Sequence, residues 1–293
     1  KKHPSCACDW SFACGTFTMY HLPLHSDQYW QKAVRNNQKF FSFGILLNCT
    51  KNKIKSITNP METTNQPLSK KHPQPGILFF IKYPIKGHVK SRLNPQITPE
   101  KTVTIYKKFV EDLFLTIQKT TLIPIICYEP TTPLVKFQQW LGSDHLYYPQ
   151  TGKNLGQRMN QAFQQGFHHG FTKLLIIGSD SPDLTSSMIN EALTHLNSYQ
   201  AVIGPSTDGG YYLLGLKPTT YNQDYFQNIK WSTPTVFKET LNKLESHLQQ
   251  IKILPTWYDI DTYNDLYSLY QRNLTTPFRH SKTMKHLQHL FSK

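Results

Sequence analysis

The chain is short of acid. Its 293 residues hold 18 Asp and Glu against 32 Lys and Arg, a formal net charge of +14. Such an excess draws anionic partners, nucleotides and phosphosugars among them, although a lysine-rich genome bias would produce the same balance. The cations are scattered and build no run like a nucleic-acid-binding arm, so nucleic acid is not an expected partner. Long hydrophobic runs are also missing: no stretch of 18 apolar residues occurs, and no membrane-spanning helix is expected. The five cysteines lack the spacing of a disulfide framework. Cys6, Cys8 and Cys14 lie near His3, His21 and His25 but match no Cys-x-x-Cys metal pattern. A reducing, cytoplasmic location is expected. Aromatic residues are plentiful at 13%, which suits a folded enzyme better than a disordered chain.

The first seventy residues keep no sustained period of 2 or 3.6 and end in a polar stretch from Asn59 to Pro67. They are expected to form an extension of unknown role, residues 1–70, poorly structured, with the functional protein beginning near Met61 and a single domain over 71–293. From Gly76 onward strand, loop and helix alternate. Ile77 to Ile81 is a continuous apolar run, as in a strand buried on both faces. Further strands are expected at Leu122–Cys127, Leu174–Ile177, Ala201–Ile203, Tyr211–Leu216 and Ile251–Leu254. Helices are expected over Pro99–Gln118, from Asn154 to Gly166 or Gly170, near Leu184, over Thr233–Leu248 and over Thr262–Tyr270. In the second of these, Leu155, Met159 and Phe163 form an apolar stripe, and Cys127 reads as a buried thiol. Alternation of this kind predicts an α/β sandwich with a mainly parallel sheet. Ligands of such sheets sit beyond the carboxyl ends of the strands.

Four loops then matter. The first, Lys82 to Leu93, carries Lys82, Lys86, Lys90, Arg92 and Gly87 directly after a buried strand. It reads as a diphosphate cradle or as a solvated basic loop, and not as a P-loop, whose first glycine is missing. In the second, Asp180 ends the most apolar strand, where a carboxylate is costly unless a cation shares the site. Asp183 there reads equally as a helix cap. The third holds Asp208, Gly209 and Gly210, a good hairpin turn that would also let a substrate lie against the backbone. The fourth holds Asp259, Asp261, Thr262 and Asp265, suited to capping or to metal contact.

These segments resemble a bacterial family of glycosyltransferase-A-like proteins, some called arsenosugar-biosynthesis glycosyltransferases or nucleotide-diphospho-sugar transferases. The resemblance rests on six signatures in order. They are Lys82-Tyr83-Pro84 with Lys90-Ser91-Arg92-Leu93, Leu155-Gly156-Gln157-Arg158-Met159, Gly178-Ser179-Asp180-Ser181-Pro182-Asp183, Asp208-Gly209-Gly210-Tyr211-Tyr212, Trp231-Ser232-Thr233 and Asp259-Ile260-Asp261-Thr262. They span Gly76 to about Tyr270. His88 stands where the family often has Arg. A more distant similarity is to molybdopterin and phospholactate guanylyltransferases. The resemblance implies a glycosyltransferase-A fold and a divalent metal, Mg²⁺ or Mn²⁺, held by Asp180 and Asp261. It implies catalytic roles for Asp180 and Asp208, nucleotide or phosphate contacts from Lys82, Gly87, Lys90, Arg92 and Arg158, and substrate contacts from Gly209, Gly210, Tyr211 and Trp231. The partners implied are a nucleotide or nucleotide-sugar donor and a small-molecule acceptor. Three activities remain open: glycosyl transfer, nucleotidyl transfer and nucleotide binding without turnover.

Overall fold

The computed structural model describes residues 74–291; the expected extension over 1–70 and the Cys6, Cys8 and Cys14 group lie outside them. Seven strands form one sheet: β1 (Gly76–Ile81), β2 (Ile123–Tyr128), β3 (Leu146–Pro149), β4 (Leu174–Ile177), β5 (Ala201–Pro205), β6 (Tyr211–Leu216) and β7 (Ile251–Ile253), in the order β3-β2-β1-β4-β6-β5-β7. Only β6 runs against the others, pairing antiparallel with both β4 and β5. The expected mainly parallel α/β sandwich is therefore what the chain builds.

Period-2 alternation sorts β1 onto two cores. Ile77, Phe79 and Ile81 face one layer, with Val110, Leu113 and Phe114 of α1 (Pro99–Ile117), Phe137 of α2 (Leu134–Leu141) and Ile189 of α4 (Ser186–His195). Leu78 and Phe80 face the other, with Met159 and Phe163 of α3 (Leu155–His168) and Leu244 of α5 (Val236–Glu245). A third cluster joins the outer side of α1, through Ile105 and Phe109, to Leu266 and Leu269 of α6 (Tyr263–Arg272) and to Met284 and Leu287 of α7 (Lys282–Phe291). Among the described residues no helix is long and apolar enough to cross a membrane. Cys127 is buried, as expected.

The strand order reverses between β1 and β4. β2 and β3 lie to one side of β1, while β4 and all later strands lie to the other. A crevice opens where two such connections diverge, beyond the carboxyl ends of the strands. Because β6 is antiparallel, its first residue, Tyr211, reaches that same edge.

Candidate active site

A cleft of about 810 Å³ occupies this switch point. The loop after β1 forms one wall with Lys82, His88, Lys90 and Arg92, and the first turns of α3 add Arg158. The loop after β4 brings Asp180, the β5–β6 turn brings Asp208, and the segment after β7 brings Asp259 and Asp261. Backbone bonds hold the carboxylate loops together: Ile260 N–H donates to Asp180 O at 2.9 Å, and Thr207 N–H to Trp257 O at 3.1 Å. Tyr106, on α1, ties the two central loops. Its hydroxyl accepts from Lys82 N–H at 2.9 Å and from Ser179 Oγ at 3.3 Å, and burial pushes its pKa up to about 12.

Lys90 is the hub of the charge arrangement. Its Nζ lies 2.6 Å from Asp180 Oδ1 and 2.8 Å from Asp261 Oδ1, and its side chain is only 4% exposed against 50% for Asp180. Lys90 adopts a left-handed backbone, φ 47°, an uncommon state for a side-chain-bearing residue that here accompanies the aim of its ammonium into the cleft. Burial works to lower its pKa, and the charges of Asp180 and Asp261 outweigh it, so the ammonium is held above its ordinary range. Burial likewise works to raise Asp261, but Lys90 and then Arg92, whose Nη1 is 3.4 Å from Oδ2, hold its carboxyl below the usual range.

Asp259 has the opposite fate. Burial, then the negative charge of Asp180, push its carboxyl up to about 7, although Ser181 Oγ donates to it at 2.9 Å. Asp208 contributes to the same repulsion. Asp208 Oδ1 itself accepts from Ser206 Oγ and, at 2.8 Å, from Gly210 N–H.

Most residues singled out in the sequence converge: Lys82, Lys90, Arg92, Arg158, Asp180, Asp208, Gly210, Tyr211, Trp231 and Asp261 all line the one cleft. Gly87 and Gly209 do not. Gly209 has φ 90°, and a Cβ there would sit 2.1 Å from Pro234 O, so the space a side chain would need is filled by Pro234. Gly87, φ 76°, stands with nothing within 4 Å of a Cβ position, which makes it a turn residue outside the cleft lining. Asp183 is no cap. Thr185 caps α4 by accepting from Met188 N–H at 3.2 Å. Asp183 is instead buried, taking two bonds from Arg272 (2.9 and 3.1 Å), one from Asn273 Nδ2 (2.9 Å) and one from Trp257 Nε1 (3.2 Å). Thr262, with Asp265, makes the capping box of α6 and leaves Asp261 to the cleft. Leu155 leaves the expected apolar stripe and lines the cleft, 45% exposed.

One cleft residue escaped the sequence reading, and another was read only in part. Asp259 is visible as the first acid of the Asp-x-Asp signature; its place near Asp180 depends on the segment after β7 meeting the loop after β4, where Ile260 N–H donates to Asp180 O. Gln150 follows β3, and its Nε2 donates to Ile81 O (3.1 Å) and Cys127 O (2.8 Å), clamping the ends of β1 and β2 at the cleft floor.

The donor set suits a hard divalent cation. Carboxylate oxygens are what Mg²⁺ and Mn²⁺ take, and Asp180, Asp208, Asp259 and Asp261 all line the cleft. Among the described residues no three His, Cys, Asp or Glu form a ready shell. Two carboxylates with the remaining positions left to water and phosphate is the usual arrangement for Mg²⁺. Of the two acids near Asp180, Asp261 is already paired with Lys90 and Arg92, whereas Asp259 has no cationic partner among the described residues.

Known proteins share this architecture. The crystal structure of a "putative nucleotide-diphospho-sugar transferase" from Desulfovibrio desulfuricans is 36% identical, with a TM-score of 0.72, and the match covers 74% of this chain and 95% of that one. The chain belongs to this family of transferases. The family described as "Uncharacterized protein conserved in bacteria (DUF2064)" matches residues 113–233. The 2-phospho-L-lactate guanylyltransferase of Methanocaldococcus infernus is 27% identical over 130 residues, which is 44% of this chain and 56% of that protein. The alignment thus spans little more than half of the guanylyltransferase, while the sugar-transferase-like relative is matched almost end to end.

Proposed function

We propose that the chain is a metal-dependent transferase that takes a nucleotide-diphospho-sugar donor and passes the sugar to a small-molecule acceptor. The observation that carries this reading is the gathering, in one cleft at the β1–β4 switch point, of the cations Lys82, Lys90, Arg92 and Arg158 with the four aspartates Asp180, Asp208, Asp259 and Asp261. Arg92 and Arg158, the one able to fork two oxygens and the other on the first turns of α3, receive the diphosphate. Lys82 and Lys90 add positive charge where the leaving phosphate develops negative charge. Asp180 and Asp259 would hold Mg²⁺ or Mn²⁺, which would supply the electrophilic charge that stabilises a departing diphosphate. Asp208 uses Oδ1 for its bonds to Ser206 and Gly210, and in this reading its Oδ2 takes the proton of the acceptor hydroxyl.

Nucleotidyl transfer to a phosphorylated acceptor is the second reading, favoured by the similarity to a guanylyltransferase. Titration calorimetry with nucleotide sugars and with nucleoside triphosphates, each with and without Mg²⁺, separates the two. A preference for the diphospho-sugar supports glycosyl transfer; a preference for triphosphate with pyrophosphate release sinks it. Asp180→Asn should abolish the metal-dependent part of binding and lower turnover by orders of magnitude while the protein stays folded. A variant with full metal-dependent affinity would remove Asp180 from the metal site.

A further inference from the structure

A second recess, about 450 Å³, opens beside the cleft. Six carboxamides line it: Asn154, Gln157 and Asn160 from the start of α3, and Gln223, Gln227 and Asn228 from the segment between β6 and α5. The remaining lining is Phe226, Ile229 and Trp231, so no ionisable side chain faces it. The contrast with the cleft next door is sharp. Helix α3 separates the two, with Leu155, Arg158 and Met159 on the cleft side and Asn154, Gln157 and Asn160 on the recess side. Trp231 lines both.

The partition is built into the backbone. Gly156, on α3, lets the 226–231 segment press against the helix: a Cβ there would lie 2.5 Å from the Trp231 ring and 2.6 Å from Phe226 O. The three α3 carboxamides are also oriented. Asn154 Oδ1 accepts from Gln157 N–H at 2.9 Å, Gln157 Oε1 from Lys153 N–H at 2.8 Å, and Asn160 Oδ1 from the Tyr221 hydroxyl. With the oxygens engaged, their NH₂ groups are left as donors.

We propose that this recess is the acceptor subsite and that it takes an uncharged polyhydroxylated molecule, a saccharide or sugar alcohol. Calling the occupant an acceptor rests on the transferase reading above; the chemistry of the occupant rests on the recess alone. Carboxamides match hydroxyl groups, which both donate and accept, and the indole offers an apolar face for ring C–H groups. An anionic or cationic ligand would lose its hydration here and find no opposite charge. Trp231, shared by both spaces, places such a molecule beside the donor cleft.

The test uses the full chain and three uncharged probes: maltose, methyl riboside and myo-inositol. Ligand-observed NMR should show at least one binding with millimolar affinity, without nucleotide present. The double variant Gln157→Ala with Asn228→Gly removes two carboxamides; glycine at 228 keeps the φ of 56° accessible. It should weaken that probe by at least about tenfold, the scale of one or two lost hydrogen bonds. Its melting temperature and its affinity for a nucleotide sugar should stay as in the parent. No binding by any of the three probes, or equal binding in parent and variant, overturns the proposal. So does a variant that keeps the saccharide and loses nucleotide affinity, which would make the recess a base pocket. Because the saccharide arm needs no nucleotide, it remains readable even if the donor is wrongly assigned.

Discussion

Asp183, buried, and Asp259, half-buried, illustrate opposite solutions to one problem, that of holding a carboxylate away from water. Asp183 is fully supplied with partners: Arg272 through two bonds, Asn273 and Trp257. Removing one side of such a buried pair strands the other, so Asp183→Ala should lower unfolding free energy by about 3–5 kcal/mol in urea titrations. A loss near 1 kcal/mol would return Asp183 to the rank of an ordinary cap. Asp259 is undersupplied, and its carboxyl is pushed up to about 7 by burial and by Asp180. A carboxyl with a raised folded pKa stabilises the fold fully below its unfolded pKa, near 4, and loses that contribution as pH rises through about 7. Asp259→Asn should therefore flatten the fall in metal-free stability between pH 5 and pH 8 and melt above the parent at pH 8. Identical pH profiles for the two proteins would show that Asp259 ionises without strain. Added Mg²⁺ should stabilise the parent more than the variant at pH 8.

At the scale of elements, the glycines of the cleft rim do different jobs. Gly87 and Gly209 both have positive φ, but only Gly209 is pressed against a neighbour, Pro234. Gly87→Ala should cost about 1–2 kcal/mol, the left-handed penalty alone. Gly209→Ala should cost clearly more and also weaken ligand binding, because Pro234 and Thr233 line the cleft and would have to move. Equal costs in chemical denaturation would remove the steric part of this account. The same elements show what the sequence could reveal. Strands β1, β4, β5 and β6 are apolar runs and read directly. β3 is four residues, Leu146–Pro149, too short for a period. α2 is eight residues with one fully buried side chain, Phe137. α7 turns a few apolar residues, Met284 and Leu287 chief among them, toward α1 and α6, and its Lys and His residues hide that stripe. Loop positions after strands pointed to Asp180, Lys90 and Asp208 because the sheet brings every such loop to one edge. The partner of Lys90 could not be read, since pairing across 171 positions leaves no local trace.

For the whole molecule, the three apolar clusters of residues 74–291 are drawn from one another's helices and strands and close both faces of the sheet. A chain beginning at Met61 is accordingly expected to melt in one cooperative transition within a few degrees of the 293-residue protein. Differential scanning calorimetry checks this, and a broad or absent transition would show that the earlier residues complete the core. The surplus of positive charge acts at the same scale. It should raise the association rate of an anionic donor at low ionic strength and lose that advantage as salt screens it.

The bridge from Lys90 to Asp261 has a further consequence, in time. The ribosome delivers the basic loop long before the acid that neutralises it; at 5–20 residues per second the gap of 171 positions takes roughly 10–30 s. Only in the second half of that interval, once Asp180 is made, can β1 and β4 pair and Asp180 meet Lys90. The nascent chain then carries a cationic loop facing one carboxylate, with β7 and the Asp259–Asp261 segment still unmade. The acids of the cleft are thus completed late in synthesis, and a chain cut short before Asp259 would keep the four cleft cations with only Asp180 and Asp208 to face them.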